Sequence, residues 1–92
     1  MNEERFSVYV LFSRKDKKLY IGYTPSNVYS RFQKHVDGLV PSTRVRRPLQ
    51  LIYFEVYTHR DDATRREKYF KTTPGKRAIK HMLRKTLSAI NI

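Results

Sequence analysis

Two short runs of alternating residues, FSVYVLF (6–12) and LYIGY (19–23), are joined only by the polar SRKDKK (13–18). Period-two alternation marks a strand, and a polar link this short suits an antiparallel hairpin, although it lacks the Asn-Gly or Asp-Gly signal of the tightest turns. In the first run Phe6, Val8, Val10 and Phe12 alternate with Ser7, Tyr9 and Leu11. In the second, Leu19, Ile21 and Tyr23 share one face, and Tyr20 and Gly22 share the other. The hairpin therefore turns Tyr9 and Tyr20 to one sheet face, opposite or diagonal to each other. A tyrosine pair of this kind is ordinary strand packing. Gly22 adds something to it. A glycine inside a strand leaves a bare patch where another group can approach the backbone. Two phenols beside that patch can floor a shallow pocket.

The rest of the chain supplies helices and one more strand. TPSNVYSRFQKHVDG (24–38) reads as a helix capped by Thr24, with Pro25 at its first position and Gly38 at its end. Val28, Phe32 and Val36 recur at i, i+4 and i+8 as its apolar stripe. LVPSTRVRRP (39–48) reads as a basic loop, and LQLIYFEVY (49–57) as a long strand apolar enough to be covered on both faces. THRDDATRREKYFK (58–71) is a second helix, with Thr58 and Asp61 spaced for a capping box. A third begins after Pro74-Gly75 and carries Ile79, Met82, Leu83, Leu87 and Ile90 as its apolar set. The order β-β-α-β-α-α predicts an α+β fold, a small antiparallel sheet with helices against it.

Ninety-two residues make one small domain, 1–92, with its core over about 6–86. No apolar run approaches a membrane span, and MNEERF is neither a signal peptide nor a lipidation signal. The chain has no cysteine, which removes disulfides, thiolate zinc sites and a cysteine nucleophile together. A cytoplasmic monomer without a membrane partner or a small-molecule cofactor is the expectation. Twenty Lys and Arg against eight Asp and Glu give a formal charge of +12. Such an excess on a small domain points to a polyanion, most often nucleic acid. Arg44, Arg46 and Arg47 are the candidate phosphate contacts, because a basic loop between helix and strand can follow a nucleic-acid backbone.

Three further residues stand out. Arg31 and His35, four apart, stack along one side of the first helix and border its apolar stripe. Either alone reads as a surface residue; together they mark the seam between helix and sheet. Glu67 shares a helix face with Ala63 and Phe70, and a carboxylate on an apolar face needs a cation, a hydrogen-bond partner or a metal. A salt bridge to one of the many arginines is its plain structural explanation. No second carboxylate is placed for paired acid–base work, and there is no nucleophile elbow, Gly-rich phosphate loop or His/Cys zinc cluster. One carboxylate, an arginine, a histidine and two phenols do suit phosphodiester hydrolysis. A hard cation on Glu67 can bind phosphate and leaving oxygens, Arg31 can neutralise phosphate, and a phenol can help deprotonate water.

The ordered set VYV (8–10), YIG (20–22), SRFQKH (30–35) and RREKYFK (65–71) resembles the signature of the GIY-YIG endonuclease superfamily, in particular its small stand-alone bacterial members. The resemblance covers about residues 6–80. It implies a three-stranded antiparallel sheet between helices and DNA cleavage dependent on one divalent ion, Mg²⁺ or Mn²⁺, with a structure-selective role in DNA repair or recombination. It implies Glu67 as metal ligand, Arg31 as phosphate binder, Tyr9 and Tyr20 as general base and water-positioning partner, and His35 at a position that is Tyr or His in the family. Two motif positions depart from the pattern. The first motif is Val-Tyr-Val where the family has Gly-Ile-Tyr, and Tyr23 stands where some members carry a lysine.

A reading from another class is a non-catalytic nucleic-acid-binding domain on the same fold. LYIGYT also looks like one aromatic strand motif of an RNA-recognition fold, but the partner motif of that fold is missing. Metal binding that vanishes with Glu67 separates the nuclease from the binding module.

Overall fold

A computed structural model describes residues 4–90. Strand β1 (Phe6–Ser13) is the middle of the sheet, with β2 (Leu19–Thr24) and β3 (Leu49–Tyr57) antiparallel on either side in the order β2-β1-β3. Every residue of β1 is buried. The strand expected to be covered on both faces, 49–57, is instead an outer strand whose Phe54 and Val56 are exposed. The first strand takes the central place because it pairs with both others, so its two faces are the ones the helices close over.

Helix α1 (Val28–Val36) covers the sheet face that carries Tyr9 and Leu11, and Val28 packs there with Phe32 against it. Helices α3 (Arg60–Phe70) and α4 (Thr73–Met82) cover the opposite face, where Val8, Val10 and Ile21 meet Ala63, Phe70 and Ile79. The result is a three-layer α+β arrangement with β1 as its centre. Among the described residues no helix is long and apolar enough to cross a membrane.

Several boundaries differ from the sequence reading. Asn27, not Thr24, caps α1, its side-chain oxygen accepting from the amides of Tyr29 and Ser30. Thr24 ends β2 and pairs with Ser26, which leaves Pro25 outside the helix. Gly38 does follow the helix end, with φ +75, the left-handed conformation that favours glycine there. The basic loop contains a one-turn helix, α2 (Pro41–Arg44), started by Pro41. His59 caps α3 in place of Thr58, its ring nitrogen accepting from Asp61 N. The last helical stretch breaks near Leu83 into α4 and α5 (Arg84–Ile90), and α4 begins earlier than Pro74-Gly75, capped by Thr72. Ile79 and Leu83 are core, whereas Met82 is 40% exposed.

Along α1 the stripe is rotated from the expected one. Val36 is largely exposed and His35 is completely buried, so the inward set is Val28, Phe32 and His35. A buried imidazole is tolerated here because both of its nitrogens find partners.

Candidate active site

Tyr9 sits directly opposite Gly22 across the β1–β2 pair, and Tyr20 lies diagonal to it, opposite Leu11. The absence of a side chain at Gly22 is what admits the phenol. A Cβ there would collide with Tyr9 Cζ and Oη, closer than any real side-chain contact. The two tyrosine rings are 6.5 Å apart and tilted by 42°. Tyr9 is 1% exposed, while Tyr20 is half-buried and forms the outer part of the cluster.

Helix α1 brings two groups to the Tyr9 hydroxyl. His35 Nε2 is 2.8 Å from Tyr9 Oη, and Arg31 Nε donates to the same oxygen at 3.4 Å. The imidazole meets both tyrosine rings edge-on, at 5.6 Å from Tyr9 and 5.5 Å from Tyr20. Its other nitrogen, Nδ1, is 2.7 Å from Thr43 Oγ1 of α2. The Thr43 hydroxyl donates to Val40 O, at 3.5 Å. With that hydrogen committed, Thr43 Oγ1 accepts from Nδ1–H, which leaves Nε2 to accept from the Tyr9 hydroxyl. The chain of donors runs Tyr9 to His35 to Thr43 to Val40.

Burial dominates the electrostatics. It holds His35 down at about 4, and the positive charge of Arg31 pushes the same way, so the imidazole is neutral at ordinary pH. Burial also raises the Tyr9 phenol above its usual 10.0. The Arg31 hydrogen bond and charge oppose that rise, and the neighbouring Tyr20 and Glu67 add to it. The electrostatic influence of Glu67 on Tyr9 joins α3 to the cluster, although no hydrogen bond links the two side chains.

On α3, Ala63 and Phe70 are buried as expected, and Glu67 between them is partly covered. Among the described residues its one ion pair is with Lys71 of the same helix, 3.1 Å away and more than half exposed. The glutamate locked to an arginine is a different one, Glu55. Its two carboxylate oxygens accept from Arg66 Nε and Nη2, each at 3.0 Å, and from the Tyr53 and Tyr57 hydroxyls, each at 2.7 Å. Burial works against the charge of Glu55, but Arg66 and the two phenols outweigh it and hold its carboxyl below the ordinary range. Glu67 is thus the acid whose charge acts on Tyr9 and whose carboxylate is held by Lys71 alone among the described residues.

Among the described residues no three His, Cys, Asp or Glu side chains group as a metal cage. The donor set does fit a hard cation of the Mg²⁺ kind. Such an ion keeps most of its waters and takes one or two carboxylates plus substrate phosphate oxygens. Glu67 offers the carboxylate, and its partner Lys71 sits on a flexible, solvated stem.

The basic segment is partly committed. Arg46 pairs with Asp16 in the β1–β2 turn at 2.6 Å and holds that carboxyl well below the usual carboxylate range. Arg47 donates to the carbonyls of Arg44 and Val36. Arg44 has an exposed side chain with no such bond. Thr43 and Glu55 escaped the sequence reading, and only the fold reveals their partners.

Residues 5–80 match the family model described as the GIY-YIG catalytic domain. The chain belongs to the GIY-YIG family. Similar proteins include a UPF0213 protein of Pediococcus pentosaceus, 38% identical over 78 residues, which span 84% of this chain and 81% of that one. Another is the UPF0213 protein SH2523 of Staphylococcus haemolyticus, 39% identical over 67 residues, 72% of this chain and 80% of the relative. The solution NMR structure of the UPF0213 protein BH0048 from Bacillus halodurans superposes with a TM-score of 0.53 and 30% identity, covering 85% of this chain and 84% of that one. These relatives are small proteins of similar span. In this GIY-YIG chain the tyrosine of VYV stands on the central strand and YIG on β2, so Tyr9 faces Gly22, the glycine of YIG.

Proposed function

We propose that the chain is a metal-dependent DNA endonuclease hydrolysing phosphodiester bonds, with Tyr9, Tyr20, Arg31, His35 and Glu67 as its working residues. The observation that carries this reading is the convergence of Tyr9, Arg31 and His35 beside Gly22 in a GIY-YIG domain.

His35 turns the Tyr9 hydrogen inward, so the phenol oxygen keeps a lone pair for the attacking water. Full transfer of the Tyr9 proton to His35 before attack is too costly. Burial raises the phenol above its ordinary 10.0 and holds the imidazole near 4, so both shifts oppose that transfer. The proton must therefore move as the water oxygen bonds to phosphorus, when that oxygen's own hydrogen becomes acidic. The water proton then passes to Tyr9 Oη while the Tyr9 proton passes to His35 Nε2. The bond from phosphorus to the leaving oxygen breaks in the same displacement, the leaving oxygen takes a proton from solvent, and His35 then returns its proton to Tyr9 as Tyr9 releases the water-derived one to solvent. Arg31, beside the phenol, sets positive charge against the phosphate oxygens. Tyr20 holds the water or a phosphate oxygen at the outer side of the cluster. A divalent ion, when bound at Glu67, supplies a Lewis acid for the phosphate and leaving oxygens and further positive charge near the phenols.

The test is a cleavage screen over duplex, single-stranded, flap and branched DNA with Mg²⁺ or Mn²⁺, with Glu67→Gln as control. Cleavage that depends on metal and on Glu67 supports the reading and reports whether the enzyme selects structure. Binding without cleavage in the parent chain assigns it instead to the non-catalytic class.

A further inference from the structure

On the sheet face opposite the tyrosines, a groove of about 750 Å³ runs between the β1–β2 hairpin and helices α4 and α5. Its floor is apolar and includes Leu19, Ile21, Ile79 and Leu87. Its rim carries Lys17, Lys18, Lys76, Lys80 and Arg84, and no acidic residue lines it. None of the four lysine ammonium groups pairs with a carboxylate among the described residues, and Lys18 meets Asp16 only through its backbone amide. This contrasts with the basic segment beside the active site, where Arg46 is held by Asp16 and Arg47 by backbone carbonyls.

The groove and the tyrosine cluster are separated by one strand. Tyr20 faces the His35 side, and its neighbours Leu19 and Ile21 face the groove. Strand β2 pairs only with β1, so among the described residues its outer edge carries no further strand, although Arg46 Nη2 donates to Leu19 O of β2. A nucleic-acid strand that crosses this edge meets both surfaces in succession. We propose that the groove binds a single-stranded DNA segment continuous with the strand at the tyrosine cluster, its phosphates on the lysine rim and its bases against the apolar floor. A cationic rim over an apolar floor suits an unpaired strand, whose base faces are open for contact. A blunt duplex hides its base faces from the floor and so is not drawn into the groove. The preferred substrate is then DNA with an unpaired segment next to the cut, such as a flap or an overhang. The inference rests on the nuclease reading for the cut itself, and on the groove alone for the binding.

The test measures binding of a fluorescent oligothymidine of about a dozen nucleotides, a blunt duplex of the same length, and polyglutamate as an acidic peptide. The protein carries Glu67→Gln to prevent cleavage, and is compared with the same protein bearing Lys18→Gln, Lys76→Gln and Lys80→Gln. All three lysines are exposed, so unchanged thermal melting is expected. Three lost phosphate contacts should lower the slope of log affinity against log salt by about 2 for the single strand, and its affinity about a hundredfold at roughly 0.1 M salt. Duplex affinity should fall much less. Equal single-strand affinity in both proteins overturns the proposal. So does an equal loss on the duplex, which would make the lysines a general charge surface. Polyglutamate binding that needs the lysines, with DNA binding that ignores them, assigns the groove to a protein partner and also overturns it. A chain that binds the single strand through these lysines but, with Glu67 intact, cleaves nothing removes the nuclease reading and leaves the groove standing.

Discussion

Tyr9 Oη and His35 Nε2 lie 2.8 Å apart, the phenol on the central strand and the fully buried imidazole on α1. Tyr9→Phe keeps the ring but leaves Nε2 without its donor. The expected loss in single-turnover cleavage is roughly a hundred- to ten-thousand-fold, with about 1 to 3 kcal/mol of stability lost for the unpaired nitrogen. Tyr20→Phe should also lose most activity at little cost in stability, because no hydrogen bond of its hydroxyl holds the fold. The double variant should lose less than the product of the two single losses. Parental rates in both single variants would reduce the pair to hairpin packing.

Thr43→Val preserves shape and removes the acceptor for His35 Nδ1–H. The imidazole then loses the contact that fixes its tautomer, so cleavage should fall and its pH profile should move, while Thr43→Ser restores both. A purely structural Thr43 would shift melting temperature and leave the pH profile in place.

Glu67 and Glu55 should part company. Glu67→Gln breaks only the i,i+4 pair with Lys71, whose lysine end is solvated, a contact of about 0.3 to 0.5 kcal/mol, so the fold should survive while cleavage and metal binding vanish. Glu55→Gln disrupts the fork to Arg66 and weakens both phenol bonds; roughly 3 kcal/mol of stability should go with it. Urea melts beside a cleavage assay separate the two. A Glu67→Gln protein that unfolds readily would argue for a structural role.

Stability should fall on acidification through His35. In the folded chain it binds its proton only near pH 4, held low by burial and by Arg31, whereas unfolded it does so near 6.5. Between those values the unfolded state binds more protons, so stability is full above about 6.5 and declines as pH drops towards 4. The gap corresponds to roughly 3 kcal/mol from this side chain. Melts of the parent and of His35→Gln over that range should show the parent's slope shrinking in the variant; equal slopes would place the acid sensitivity elsewhere.

Gly22→Ala should displace the Tyr9 phenol, since the added carbon would meet the ring's Cζ, Oη and Cε2. Overpacking of this kind costs about 1 to 3 kcal/mol, and activity should collapse with it. Retained cleavage would mean that the phenol position is not critical.

The hairpin, the shared face of Tyr9 and Tyr20, and the use of Gly22 were legible because pleat geometry fixes them from local alternation. Arg31 and His35 were legible as a helix pair, but not the complete burial of His35 in place of Val36. That burial depends on Thr43, which reaches the imidazole from a one-turn helix hidden in a basic segment. Local pattern likewise placed Glu67 between Ala63 and Phe70, yet gave no sign of the Glu55 fork. Its arginine comes from another element, and the strand alternation around Glu55 looks like that of any outer strand. The fates of Arg46 and Arg47 were equally non-local, since their acceptors lie in the hairpin turn and at the end of α1.

The double-sided burial of β1 sets a rule for how this sequence can change. Val8 and Val10 turn to the aliphatic layer under α3 and α4, where volume is what matters. Tyr9 between them turns to the imidazole, where one oxygen matters more than volume. In a saturation library selected for cleavage, Val8 and Val10 should exchange freely among aliphatic residues of similar size, and Tyr9 should not exchange at all. In the same library selected only for folding, that contrast should shrink. Tolerance read along this single strand would then alternate with the pleat, marking residue by residue which layer holds the phenol and the imidazole.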